Sequence, residues 1–222
     1  MLDSLLQYIA PHSCCGCGKK GGLLCEQCKY DIVFEPYSQC IHCNAPTSSA
    51  NVCRGCRKKL NIEDVWVVGR RDDVLKALLD RYKFSASRSA GALCADLLVE
   101  RLPILPTDIT IVPVPTSAHS RRVRGFGHTE LVAKQLARRL RCSYASPLTR
   151  KATGTQHFRS RADRLKLSAD DFGYRGDAVS PVLLVDDIYT TGATLRACVQ
   201  KLRENGVKVV YVAIIARQPL DV

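Results

Sequence analysis

The sequence predicts an α/β protein built on a parallel sheet covered on both faces, with a small cysteine-rich domain in front of it. Three observations predict this. The apolar runs in "DVWVVGRR", "DITIVPVP", "PVLLVDD" and "VKVVYVAIIAR" are continuous rather than alternating, as strands buried on both faces are. Segments with apolar residues at helical spacing lie between them. Ahead of both, eight of the twelve cysteines form four CxxC pairs between residues 14 and 56.

With 222 residues the chain has room for one core of ordinary domain size and a small appendage. The cysteines stop near "CRKKLNIED", which places a boundary between residues 1–60 and 61–222. Cys14/Cys17 and Cys25/Cys28 are separated by seven residues, and Cys40/Cys43 and Cys53/Cys56 by nine. No run of 18 apolar residues occurs, and "MLDSLLQYIAPHSCC" lacks the basic flank and cleavage site of a signal peptide. The expectation is a cytoplasmic chain without membrane insertion, in which such spacing reads as zinc rather than disulfides. A CxxC turn brings two thiolates to a tetrahedral ion while backbone N–H groups offset their charge. Gly18 and Asn44, each just after a second cysteine, suit the left-handed backbone such a turn needs.

Eight thiolates would hold one or two structural zinc ions, and four on one ion leave no open position for catalysis. Sequential pairing gives a double zinc ribbon and interleaving a cross-brace; the shorter loops favour the former. Reduced, unligated thiols would leave residues 12–57 with too few large apolar groups to fold. His12 and His42 are not needed as ligands while eight cysteines suffice. Cys15 is incidental to these pairs, and Cys94, Cys142 and Cys198 read as small core residues.

After the boundary, "DVWVVGRR" is a strand and "DDVLKALLDRYKF" a helix, with Asp72 and Asp73 at the positive end of its dipole. "SRSAGALCADLLVERL" is a second helix, stopped by Pro103. "DITIVPVP" is a strand whose prolines send the chain into an irregular loop at "PTSAHSRRVRGFG". In "TELVAKQLARRLR" Val132, Ala133, Leu136, Ala137 and Leu140 share one helical face, while Lys134, Arg138 and Arg141 line another. "ASPLTRKATGTQHFRSRADRLKL" has neither period and reads as a long surface loop or lid. The strand "PVLLVDD", the helix "GATLRACVQKLREN" before Gly206, and the strand "VKVVYVAIIAR" complete the chain.

The formal charge of +12 is uneven: residues 119–166 hold 13 Lys and Arg against two acids. Two zinc tetrathiolates would lower the total to about +8, so this segment remains the main source of field and points to a polyanionic partner. Phe126, His128, His157 and Phe158 lie among its arginines, a mixture that lets bases stack beside a tracked backbone. Arg124, Phe126, His128, Arg138, Arg141, Arg150, Lys151, Arg159 and Arg161 are the candidate nucleic-acid contacts. The alternative is a solvated basic face with two core phenylalanines.

The most specific stretch is "VLLVDDIYTTGATL". A strand reaching the carboxyl edge of a parallel sheet delivers its next residues into the ligand crevice. Two adjacent carboxylates there, Asp186 and Asp187, must be answered by a cation or by the hydroxyls of a sugar diol. Thr190, Thr191 and Thr194 follow with hydroxyls, Gly192 permits close backbone approach, and the next helix begins, aiming free N–H groups at the same point. Acids for a diol and a nest for a phosphate describe a sugar phosphate. A response-regulator receiver carries its acids on the first strand with about a hundred residues to follow, whereas 35 follow Asp187. A Walker-type ATPase needs a GxxxxGK[ST] loop upstream, and the sequence has none.

These residues resemble the fingerprint of the type I phosphoribosyltransferases: an apolar strand, two acids, and a Thr/Ser-Gly-x-Thr loop. The resemblance implies a type I phosphoribosyltransferase-like sheet, with Asp186 and Asp187 on the ribose hydroxyls of phosphoribosyl pyrophosphate (PRPP), also as the catalytic candidates. It implies a 5-phosphate held by Thr190, Thr191, Gly192, Ala193 and Thr194. The loop after "PVP" lies at the pyrophosphate in such proteins, which nominates Thr116, Ser117, Arg121 and Arg122, with Mg²⁺ accompanying PRPP.

The cysteine pairs, "YKF" at 82–84, "PVP" at 113–115, "RRVRGFGH" at 121–128 and "DDIYTTGAT" together resemble the ComF family, which includes proteins called GntX. Where members usually read "RGFNQ", this chain has Gly127 and His128 after "RGF". The family implies a PRPP-binding protein of DNA uptake in natural transformation, with single-stranded DNA and a helicase-like competence partner. Two other classes stay open: an active transferase moving ribose 5-phosphate to a nitrogen acceptor with release of pyrophosphate, and a regulatory module that senses PRPP. Turnover by positioning and charge placement would need no protein nucleophile.

Overall fold

The computed structural model describes residues 12–34, 37–84, 88–151, 167–176 and 180–219. The strands in chain order are β1 (Val65–Arg70), β2 (Thr110–Pro113), β3 (Ser143–Tyr144), β4 (Leu148–Arg150), β5 (Phe172–Tyr174), β6 (Val182–Tyr189) and β7 (Val210–Arg217). Five of them form one sheet in the order β1-β7-β6-β2-β3, every pairing parallel. The helices are α1 (Glu26–Phe34), α2 (Arg54–Leu60), α3 (Asp73–Phe84), α4 (Arg88–Arg101), α5 (Ala118–Arg124), α6 (His128–Leu140) and α7 (Ala193–Glu204).

The continuous apolar strands are explained by cover on both faces. Leu183, Val185, Ala213 and Ile215 point into a core with Leu78 and Leu79 of α3, Leu97 and Leu98 of α4, and Val132 and Leu136 of α6. Their alternates, Val182, Leu184, Val212 and Ile214, pack against Leu195, Val199 and Leu202 of α7 and against Phe172 of β5. Each fully buried aliphatic side chain contributes about 1.5–3 kcal/mol, so two-sided burial stabilises the central strands β6 and β7 most. This five-stranded parallel sheet with flanking helices, behind a cysteine-rich ribbon, is the α/β architecture that the sequence predicts.

The ribbon shares that core. Tyr37, Cys40, Ile41, Val52, Cys56, Leu60 and Ile62 join the α7 side of the sheet, and Leu23 joins the other. Asn51, buried from solvent, stitches the ribbon to the edge strand β1. Its N–H donates to the Val65 carbonyl at 2.6 Å, and its Oδ1 accepts from the Val67 N–H at 2.8 Å. Its Nδ2 donates to the Tyr37 carbonyl. The exposed edge of a sheet is thereby closed to further pairing. Asn51→Ala strands the buried Val67 N–H and leaves the Tyr37 carbonyl with Arg101 as its remaining donor, and should lower unfolding stability by roughly 1–3 kcal/mol in urea denaturation.

Two sequence expectations need correction. "PTSAHSRRVRGFG" is not irregular: it holds α5, opened by Ser117, whose Oγ accepts from the Ser120 N–H at 3.1 Å, and closed by Gly125 at φ 79°. Its apolar residues Ala118 and Val123 are both exposed, so no apolar face announced the helix. Within "ASPLTRKATGTQHFRSRADRLKL", Leu148–Arg150 forms an antiparallel pair with Phe172–Tyr174 rather than loop. The remainder of that segment, residues 152–166, lies outside the described residues, and with it Arg159, Arg161, His157 and Phe158.

Candidate functional site

Strand β6 carries the acid pair just before its end at Tyr189, and α7 starts four residues after Tyr189, so Thr190, Thr191 and Gly192 turn in between. Gly192 is left-handed at φ 75° and caps α7. A Cβ there would meet the Tyr189 hydroxyl at 2.2 Å, so glycine is required by space as well as by conformation. The turn opens into a cleft of about 620 Å³. Asp186, Asp187, Thr190, Thr191 and Thr194 line it, together with Thr116 and Ser117 from the segment after the neighbouring strand β2. Ala193 is buried at the start of α7.

Lys83 of α3 reaches the cleft and pairs with Asp187, Nζ to Oδ2 at 2.6 Å, both side chains largely buried. Burial works against both carboxylates. At Asp187 the Lys83 ammonium outweighs it and holds the carboxyl below its usual range. Asp186 is pushed well above that range, first by burial and then by the charge of Asp187. The backbone supports the pair: the Asp187 N–H donates to Asp186 Oδ1 and the Ile188 N–H to Asp187 Oδ1, each at 2.8 Å.

Sequence reasoning missed Lys83 as a site residue, although it stands in the quoted "YKF". Arg71 was also missed; it lines the cleft and donates to Asp80 Oδ1 and Gln218 Oε1, each at 2.8 Å. Arg150, expected on a nucleic-acid face, lines the cleft instead. Arg121 and Arg122 are not among the residues lining it. Arg121 pairs with Glu130 at 2.8 Å, and Arg122 is exposed.

His128 is corrected as a base-stacking group. It is 2% exposed, packed edge-on to Tyr82 with ring centroids 5.0 Å apart, and its carbonyl accepts from the Tyr82 hydroxyl at 2.8 Å. Phe126 is half-buried in the same cluster, 4.7 Å from the His128 ring. Arg138, Arg141 and Lys151 are exposed. The basic segment is partly neutralised, since Arg139 pairs with Asp96 and Lys134 with Glu130.

The cysteines gather sequentially into two sets, Cys14/Cys17/Cys25/Cys28 and Cys40/Cys43/Cys53/Cys56, each with its sulfurs within 4.8 Å of one another. Gly18 and Asn44 take the left-handed conformation, at φ 77° and 60°. Each set joins a knuckle to a helix start, since α1 follows Cys25 and α2 follows Cys53. The sets fit zinc. Two thiolates on one tetrahedral ion at about 2.3 Å lie about 3.8 Å apart; Cys17 and Cys25 Sγ are 3.6 Å apart, and Cys43 and Cys53 3.7 Å. Without a cation the thiols cannot all ionise together. Burial resists the Cys14 thiolate, but backbone N–H groups bring it down to about 6, while a hydrogen bond with Cys25, then burial, pushes Cys28 up to about 12. Both sets could therefore hold a structural zinc ion.

Known proteins resemble this chain over most of its length. Competence protein F of Haemophilus influenzae is 31% identical over 216 residues, covering 87% of this chain and 90% of that one. The chain belongs to the ComF family. DNA utilization protein YhgH of Escherichia coli K12 is 32% identical, covering 80% of this chain and 83% of its own length. Competence protein ComFC of Bacillus subtilis is 28% identical, covering 82% and 79%. No family model matches the chain. Among solved structures, adenine phosphoribosyltransferase from Thermoanaerobacter pseudethanolicus superposes on 67% of this ComF-family chain and 88% of its own, with 14% identity and a TM-score of 0.36. That superposition is too loose to bear on the site. Among the described residues no helix is long and apolar enough to cross a membrane.

Proposed function

We propose that this ComF-family protein binds PRPP in the cleft at the end of β6 and acts in DNA uptake. The observation that carries the reading is a convergence. Two partly buried carboxylates, three threonine hydroxyls and the N-terminus of α7 face one cleft. Carboxylates accept from a ribose diol, and a helix N-terminus with hydroxyls receives a phosphate. Thr116 and Ser117 line the same cleft, where the pyrophosphate and its Mg²⁺ would lie, and Arg71 and Arg150 supply positive charge at the wall.

The relatives named for competence and for DNA utilization support a role with DNA. Single-stranded DNA would track the exposed Arg138, Arg141 and Lys151, and a helicase-like competence partner would act on the same strand. Arg124, Arg159 and Arg161 extend the candidate contacts along the chain. Eight unpaired cysteines in two four-sulfur sets suit a reducing compartment, and this supports a cytoplasmic location.

Separate titrations of Mg·PRPP and single-stranded DNA test both halves. Asp186→Asn with Asp187→Asn should abolish PRPP binding and leave DNA affinity unchanged. Arg138→Glu with Arg141→Glu should do the reverse, lowering DNA affinity at least about tenfold and the salt slope by roughly 1.4. No measurable DNA binding at low salt sinks the nucleic-acid half. Pyrophosphate released with a nitrogen acceptor would make the protein an active transferase.

A further inference from the structure

β7 ends in Arg217, which is 3% exposed although it carries a guanidinium. Its Nε donates to the Ile41 carbonyl at 2.9 Å, and its Nη1 to the Thr190 carbonyl at 3.1 Å and to the Gln218 carbonyl. The guanidinium lies over the Tyr189 ring, 5.1 Å from its centroid. Ile41 follows Cys40 inside the second cysteine set, and Thr190 opens the acid-threonine turn. One buried cation therefore grips a carbonyl from each.

A second strut runs beside it. His42, also inside the Cys40–Cys43 knuckle, shares a hydrogen bond with the Tyr189 hydroxyl at 3.1 Å. Tyr189 packs against Gly192, whose left-handed turn starts α7. Both central residues of the second knuckle thus touch the support of the turn, and this explains why a ribbon far away in sequence shares a core with α7.

Arg217 also poses a charge problem. Among the described residues no carboxylate pairs with it, and carbonyls, the Tyr37 hydroxyl and an aromatic face do not supply a full counter-charge. A buried, uncompensated cation is costly. A cysteine set holding zinc through four thiolates carries a net charge of −2. Cys40, fully buried and adjacent to Ile41, belongs to such a set. Metal loading of the second set would supply the missing anion beside the guanidinium.

We infer that Arg217 is a positioning residue that couples zinc occupancy of the second cysteine set to sugar-phosphate binding. With zinc bound, the Cys40–Cys43 knuckle is fixed, Arg217 is neutralised and holds the Thr190 carbonyl, and Tyr189 keeps Gly192 and the α7 N-terminus aimed at the cleft. The first set docks elsewhere: the Ser13 carbonyl accepts from Arg81 of α3 at 2.8 Å. Among the described residues it makes no hydrogen bond to the turn. The inference rests on the reading of the cleft as a ribose 5-phosphate site.

Linkage makes the coupling reciprocal, so ligand must tighten zinc by the factor by which zinc tightens ligand. The full chain, carrying two zinc ions, is titrated with a chromogenic zinc chelator with and without saturating ribose 5-phosphate. Direct calorimetry of the sugar phosphate runs alongside. One of the two zinc ions should be held about tenfold more tightly with ligand present, and the other unchanged. Arg217→Met should erase that difference and weaken the same ion without ligand. Arg217→Lys, which keeps the charge but not the two-pronged grip, should restore ligand-free zinc affinity but not the coupling. If Arg217→Met fails to fold, Tyr189→Phe removes only the strut to His42 and should reduce the coupling in part. Sugar phosphate that binds the wild-type chain while leaving both zinc affinities unmoved overturns the inference and spares the cleft reading. No binding of sugar phosphate to the zinc-loaded chain overturns both.

Discussion

Lys83→Met is expected to lower unfolding stability by about 3–5 kcal/mol at pH 7, because it leaves a buried carboxylate without its cation. The two groups meet at 2.6 Å with 14% and 17% of their side chains exposed, so solvent screens the pair little. Without Lys83, two adjacent carboxylates face each other and Asp187 joins Asp186 above the ordinary range. The pH dependence separates this from lost packing. A carboxyl held low in the folded chain stabilises it above its unfolded pKa of about 3.9, and that contribution disappears as pH falls through the folded value. A carboxyl held high does the opposite: it destabilises the fold at neutral pH, and acid relieves the cost. Wild type carries one of each, and the variant carries two of the second kind. The deficit of Lys83→Met should therefore shrink as pH falls from 7 toward about 4, as read by urea denaturation at both values. A deficit constant in pH would mean that the lysine acts only through its alkyl stem. Adding Asp187→Asn to Lys83→Met should recover much of the stability, since removing both charges removes the uncompensated one.

The same pair bears on ligand binding. A diol donates to a carboxylate more strongly than to a carboxylic acid, so sugar-phosphate affinity should fall as pH drops through the raised pKa of Asp186. Asp186→Asn should remove that component while leaving any titration of the ligand's own phosphate. Stability by itself argues against two buried acids at a strand end, and their retention is a cost borne at functional sites.

How much of this was legible in the sequence depended on the range of the cause. Continuous apolar strands, amphipathic helices and the four CxxC pairs follow from local pattern, and each lies where the pattern put it. The acid pair and Gly192 were legible because one strand, one turn and one helix start suffice to place them. Helix α5 was missed because its sequence, AHSRRVR, holds too few apolar residues to show a period, although Ser117 and Gly125 carried its capping signals. His128 was misjudged because an aromatic among arginines on a helix start looks the same whether it faces solvent or Tyr82. Lys83 and Arg217 were unreadable for a stronger reason. Lys83 meets an acid 104 positions away, and Arg217 a carbonyl 176 positions away, through the crossing of β6 and β7 with α3 and the ribbon. No periodicity within either segment records such a meeting.

Gly192→Ala is the substitution from which the turn, the helix start and the ribbon should all suffer together. Two costs add. The backbone at φ 75° charges any side chain about 1–2 kcal/mol. The new methyl would then stand 2.2 Å from the Tyr189 hydroxyl and 2.6 Å from Cζ, and forcing extra volume into a packed site costs a further 1–3 kcal/mol or so. Gly125→Ala separates the two terms. Gly125 has nearly the same φ, 79°, but an added Cβ meets nothing within 4 Å. It should cost only the backbone term, about 1–2 kcal/mol, against roughly 2–5 kcal/mol for Gly192→Ala. The consequence for binding is sharper than the one for stability. Tyr189 cannot yield without breaking its contact to His42 or sliding from beneath Arg217, and either movement shifts the Thr190 carbonyl and the first N–H groups of α7. A displacement of about an ångström takes an N–H to phosphate hydrogen bond out of range, and losing one or two such charge-assisted bonds, at about 1.5–3 kcal/mol each, costs roughly a hundredfold. Sugar-phosphate affinity measured by calorimetry should fall at least about a hundredfold in Gly192→Ala and stay near the wild-type value in Gly125→Ala. Equal losses in the two variants would mean that strain alone sets the turn and that Tyr189 merely fills space beneath it.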